Sequence, residues 1–147
     1  MSHLAVQLSL PGTVTAVPLA RETVTDTLRG WGLHDGDWLD VVALIVTELV
    51  SNAVRHAGGC AVLELHTDGR TTVTVTDHSP VRPRPREPGG RGGRGLLIVD
   101  ALSARWGVRH QETAKQVWAE LPPYPRRERP VRKRDTADDR GGGAVED

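Results

Sequence analysis

Phenylalanine is absent from this chain of 147 residues, which also holds one tyrosine, one methionine and one cysteine. Its core must therefore be mostly Val, Leu and Ala, with the four tryptophans, Trp31, Trp38, Trp106 and Trp118, as core or boundary residues. The single cysteine excludes an internal disulfide and any multi-cysteine zinc site, and it suits a reducing, cytoplasmic setting. Cys60 itself reads as a small apolar residue opening a strand, with no positive neighbour to activate it. Net charge is also missing. Nineteen basic and nineteen acidic side chains cancel, so only their distribution can speak for a polyanionic partner. No apolar run approaches the roughly 20 residues needed to cross a bilayer. Met1-Ser2-His3-Leu4-Ala5 lacks the basic-then-apolar order of a secretory leader. The expectation is a soluble, cytoplasmic protein with one modest core and no internal repeat.

What is present is periodic. Leu4, Val6 and Leu8 alternate with polar or small residues, which predicts a first strand ended by Pro11-Gly12. Val17, Ala20, Val24, Leu28 and Trp31 recur at helical spacing, and Gly30 or Gly32 can close that helix. Asp35 or Asp37 can cap the next one, which carries Leu39, Val42, Ile45, Leu49 and Val54 toward a core until Gly58-Gly59. Cys60 to His66 and Thr71 to Asp77 read as a hairpin, with Asp68-Gly69 in its turn. Four prolines and a run of glycines leave no regular element between residues 78 and 95. A short helix over Leu96 to Leu102 follows, then strands over Arg105 to Val108 and Gln116 to Leu121. Strands grouped in this way predict an α+β sandwich with an antiparallel-rich sheet. After Pro122-Pro123 the chain turns basic (Arg126 to Arg134), then acidic (Asp135 to Asp139), so residues 1–123 are expected to form the domain and 124–147 a disordered charged tail.

Three segments carry chemistry. Glu48 and Asn52 stand four residues apart in an apolar helix and so share a face. A carboxylate beside an oxygen donor suits a hydrated magnesium ion and a reacting water or hydroxyl. Asp77 leaves the end of a strand, where it can accept a hydrogen bond from an exocyclic amine. On its own, Asp77-His78-Ser79-Pro80 reads equally as a turn. Gly89 to Gly95 runs straight into an apolar helix, so its amides, the helix N-terminus and Arg91 and Arg94 suit phosphate.

In this order, E-x-x-x-N, D-x-S-P and G-G-R-G-L-L resemble the histidine-kinase-like (GHKL) ATPases. They are most similar to the branch of small anti-sigma-factor serine kinases and their actinobacterial relatives. Arg29-Gly30-Trp31-Gly32-Leu33, Val99-Asp100-Ala101-Leu102 and Val117-Trp118-Ala119-Glu120-Leu121 extend the match. The resemblance implies the Bergerat ATP-binding fold, a two-layer sandwich with a mixed, largely antiparallel sheet on three helices. It implies that Asn52 coordinates Mg2+, that Glu48 is the general base, and that Asp77 reads the adenine amino group beside Ser79. It also implies that Gly93, Arg94, Gly95 and Leu96 hold the phosphates of ATP through glycines and amides, under a lid formed by residues 78–92. His56 and Arg55 read as structural or solvated and carry no assigned role.

The first glycine box departs from D-x-G-x-G and reads Asp77-His78-Ser79-Pro80-Val81, with no glycine. Ala114-Lys115-Gln116 stands where the branch often has Gly-Lys-Thr, which implies loss of a hydroxyl from the pocket, while Lys115 reads as a surface strand lysine that can still reach phosphate. No phosphoacceptor-histidine hairpin or sensor segment is visible. The activity implied by the resemblance is transfer of the ATP γ-phosphate to a serine of an anti-anti-sigma antagonist, with a sigma factor as the other protein partner. Homodimers are common in the family. The alternative is a non-catalytic, partner-sequestering module. Nucleic-acid binding through the tail is disfavoured, because acidic residues follow the basic run and no aromatics interleave it.

Overall fold

A computed structural model describes residues 3–57, 61–78 and 93–126. Its elements run β1 (Leu4–Leu10), α1 (Ala16–Gly30), α2 (Gly36–Ala57), β2 (Ala61–Thr67), β3 (Thr71–Asp77), α3 (Gly93–Leu102), β4 (Arg105–His110) and β5 (Lys115–Glu120). The five strands form one sheet in the order β1-β2-β3-β5-β4. Every neighbouring pair is antiparallel, which narrows the mixed sheet expected from the resemblance. The α+β sandwich with three helices is as the sequence predicts.

Alternation decides which face of the sheet is covered. Leu63, Leu65, Val73, Val75, Val117 and Ala119 are all buried on one face. Onto it α2 lays Leu39, Val42, Ile45, Val46, Leu49 and Val50, each nearly inaccessible to solvent. Each such aliphatic side chain contributes about 2 kcal/mol of transfer free energy. The α1 helix adds a one-residue-wide stripe, Ala16, Ala20, Val24 and Leu28, spaced one turn apart.

Helix ends are fixed by identifiable groups. Gly32 takes φ +92°, and Leu33 N and Gly32 N donate to Leu28 O and Arg29 O. That reciprocal pair closes α1, so Gly32 is the stop and not Gly30. Between the two candidate caps of α2, the structure selects Asp35, whose Oδ1 accepts from Trp38 N at 2.9 Å. The β2–β3 turn is Asp68-Gly69-Arg70 with Gly69 at φ +103°.

Two expectations shift. The third helix begins at Gly93 and not Leu96, because a first turn needs no intrahelical N–H partners and tolerates Gly93 and Gly95. The folded part also extends past residue 123. Tyr124 packs edge-on against Trp38 at 5.1 Å, and its hydroxyl accepts from His34 N and Asp35 N at 3.1 and 3.0 Å. Trp118, half-buried as a boundary residue should be, lies on the face of the sheet away from the helices, against its cross-strand partner Gly107. A Cβ at Gly107 would stand 2.9 Å from the indole. Gly107→Ala should therefore cost about 1–2 kcal/mol in a urea melt, since the ring and the Arg109 guanidinium 5.9 Å above it must lift. Cys60, Gly58-Gly59, the expected lid after His78 and residues 127–147 lie outside the described residues. Among those described, no helix is long and apolar enough to cross a membrane.

Candidate functional site

The site forms at one end of the sandwich because α2 is followed, after residues 58–60, by β2. Ala61 at the start of β2 is paired with Asp77 at the end of β3. Three intervening residues keep the C-terminal end of α2 within roughly 14 Å of that strand end. Glu48 and Asn52 lie on this half of α2, one turn apart and both half-buried. Asp77 is 3% exposed, the one buried charged side chain among the described residues. It shares the helix-facing side of β3 with Val73 and Val75.

The α3 helix packs across α2, and its first turn touches Glu48 directly. A Cβ built on Gly95 would lie 2.7 Å from Glu48 Oε2. Only a residue without a side chain lets the carboxylate rest there. It thus sits beside amides that have no intrahelical acceptor, at the positive end of the helix dipole. Glu48 and the glycine-started helix, separate motifs in the sequence, are one contact in the structure. Leu96, by contrast, has its side chain packed partly into the core, leaving its backbone as the part available to a ligand. Gly93 and Arg94 lie in the same turn of α3. The side chains of Arg94 and His56, and Ser79 entirely, are outside what is described.

Two positions on β5 are placed by the structure, one choosing between the readings of Lys115 and one correcting that of position 116. Lys115 is the direct cross-strand partner of Asp77 and is half-buried on the same, helix-facing side. It is a site-edge residue, not simply a surface lysine. Gln116 points to the opposite face, where its Nε2 donates to Thr76 Oγ1 at 3.2 Å. A hydroxyl at position 116 would face away from Asp77, so its loss removes nothing from that side. The alternation of Val117 and Ala119 carried both facts in advance. Among the described residues no group of three or more His, Cys, Asp or Glu could hold a metal ion. A magnesium ion held mainly by phosphate and water needs no such cage.

The sandwich sets an E-x-x-x-N helix against a glycine-started helix, with a buried strand-end carboxylate at the same end. Residues 10–121 match the family model of the histidine kinase-like ATPase domain. The chain belongs to that family. It is also 34% identical over 84 residues to an uncharacterized protein of Streptomyces coelicolor, an alignment covering 51% of this chain and 79% of that one. Its fold is similar to that in the crystal structure of the RsbU and RsbW domains of Rv1364c from Mycobacterium tuberculosis. The TM-score is 0.60 at 19% identity over 82% of this chain. The match spans 34% of that solved chain, so it speaks to fold alone.

Proposed function

We propose that the protein binds Mg-ATP between α2, α3 and the end of β3, and transfers the γ-phosphate to a serine of a protein antagonist in the manner of an anti-sigma-factor kinase. The observation carrying this reading is the seat of Glu48 on Gly95, which puts a carboxylate beside the helix start that suits phosphate. The residues present fit the ligand. Asn52 Oδ1 is a hard oxygen donor for Mg2+, one turn from the carboxylate. The buried Asp77 carboxylate is an acceptor for the adenine amino group, with Ser79 following it. Amides of the first turn of α3, from Gly93 through Arg94 and Gly95 to Leu96, are donors for phosphate oxygens. Glu48 accepts the proton of the attacking seryl hydroxyl as that oxygen bonds to phosphorus. Mg-ATP supplies the electrophilic phosphorus and the leaving group. The setting proposed is the cytoplasm, with a sigma factor and an anti-anti-sigma antagonist as the classes of partner and a second copy of the chain as a dimer mate.

A second reading, a partner-binding module without turnover, draws support from Ser79-Pro80 in place of the first glycine box. Calorimetric titration of Mg-ATP separates the possibilities. Wild type should bind saturably, and Asn52→Ala and Asp77→Asn should each weaken binding by about tenfold or more, roughly 1.4 kcal/mol. Glu48→Gln should still bind ATP but lose turnover, whether the γ-phosphate goes to a seryl hydroxyl or, with no acceptor present, to water. Equal behaviour of Glu48→Gln and wild type in hydrolysis favours the module. Binding indifferent to both Asn52 and Asp77 would remove the nucleotide site from this end of the fold.

A further inference from the structure

A second concave surface lies at the other end of the sandwich. Thr67 and Thr71, at the far ends of β2 and β3 from Ala61 and Asp77, line a cleft of about 590 Å³. Six strand residues, roughly 20 Å, separate it from Asp77. Its base is Leu33, Trp38, Pro122 and Tyr124. The polar atoms of both aromatics are already used. Trp38 Nε1 donates to Pro122 O at 2.8 Å, and the Tyr124 hydroxyl accepts from two backbone amides. What the aromatics offer the cleft is therefore apolar.

The rim is the opposite. Its charged residues are Arg70, Arg105, Arg126 and Glu120, three cations against one carboxylate in a chain of zero net charge. Glu120 is 12% exposed at its side chain, and a single oxygen, Oε1, serves both Arg70 at 3.6 Å and Arg105 at 3.2 Å. Those two arginines are 71% and 64% exposed. Each guanidinium carries five N–H donors, far more than one shared oxygen can accept.

We propose that this cleft binds an acidic peptide segment of a protein partner, seating an apolar side chain on the Leu33–Tyr124 base while Arg70 and Arg105 fork its flanking carboxylates. A nucleic acid would use the rim, but stacking a base needs an open ring face, and Trp38 is 6% exposed with Tyr124 edge-on against it. The proposal does not depend on the nucleotide site and stands if that site fails.

The test is an ¹⁵N NMR titration of the full chain with a blocked Glu-Glu-Leu-Glu-Glu peptide. Lys-Lys-Leu-Lys-Lys and a thymidine decamer serve as comparisons. The acidic peptide should shift the Arg70 and Arg105 side-chain Nε–H signals and the Tyr124 amide, leaving Asn52 unmoved. Arg70→Ala with Arg105→Ala should raise its Kd about tenfold or more. Arg126→Glu, which touches no contact of Glu120 and so spares the fold, should weaken it in the same direction. The proposal fails if the acidic peptide shifts none of these signals, if the variants bind it as wild type does, or if the decamer or the lysine peptide occupies the cleft equally well. Binding that appears only after truncation following Arg126 would assign the cleft to the chain's own C-terminal segment and also overturn it.

Discussion

Gly95→Ala should lower ATP hydrolysis by about 100-fold, the scale expected when a reacting group is displaced by about 1 Å. Mg-ATP affinity should stay within about threefold, because alanine keeps the backbone N–H. The added Cβ would meet Glu48 Oε2 at 2.7 Å, and that atom is the far end of a flexible side chain, so the carboxylate moves and the helices stay. Alanine also favours a helix over glycine by up to about 1 kcal/mol. The variant should therefore melt no lower than wild type while being far less active, a pairing that a packing defect cannot produce. In a Glu48→Gln background the same substitution should remove nothing more, because both act through one carboxylate. A Gly95→Ala protein hydrolysing ATP at the wild-type rate would show that the contact plays no part in placing the base.

The second large effect concerns the end of the folded part. Cutting the chain after Pro123 should cost about 3 kcal/mol and lower the melting temperature by roughly 10 °C. The cut leaves His34 N and Asp35 N without their acceptor and strips the aromatic contact from Trp38. Cutting after Arg126 should leave the melt where it is. Tyr124→Phe isolates the hydroxyl and should cost about 1–2 kcal/mol. If both truncations melt alike, Tyr124 contributes nothing and the domain ends at Pro123.

Much of this architecture was legible in the residues. The α2 stripe announced itself through Leu39, Val42, Ile45 and Leu49, and the β3 boundaries matched the alternation of Thr71 to Asp77. Both signals are local and periodic, which is what a sequence displays well. Glu48 and Asn52 were readable for the same reason, as one face of one helix. The contact of Glu48 with Gly95 was not, since it joins residues 47 positions apart through the packing of α3 on α2. The start of α3 was hidden because Gly93 and Gly95 look like loop, and only tertiary contact makes them helix. Tyr124 was lost behind Pro122-Pro123, a pair that normally ends a domain, and its value lies in amides some 90 positions away. The faces of Lys115 and Gln116, in contrast, were available from the period of two and needed only to be used.

The pairing of β1 has a kinetic consequence. Leu10 meets Ala61 and Leu4 meets Thr67, so the first strand reaches its place only by closing a loop of roughly 50 residues. That closure costs about 3.5 kcal/mol of chain entropy beyond a constant, whereas the β2–β3 hairpin closes over a three-residue turn. The local pieces, α1 with α2 and the two hairpins, are expected to form early, and the pairings of β1 with β2 and of β3 with β5, which close loops of roughly 50 and 37 residues, to follow. Until β1 arrives, the backbone of Ala61–Thr67 is an open edge carrying Ala61, Leu63 and Leu65 on its apolar side. A chain clipped of its N-terminal strand would thus move the open edge of the sheet from β1 to the more apolar β2, a template on which aggregation starts.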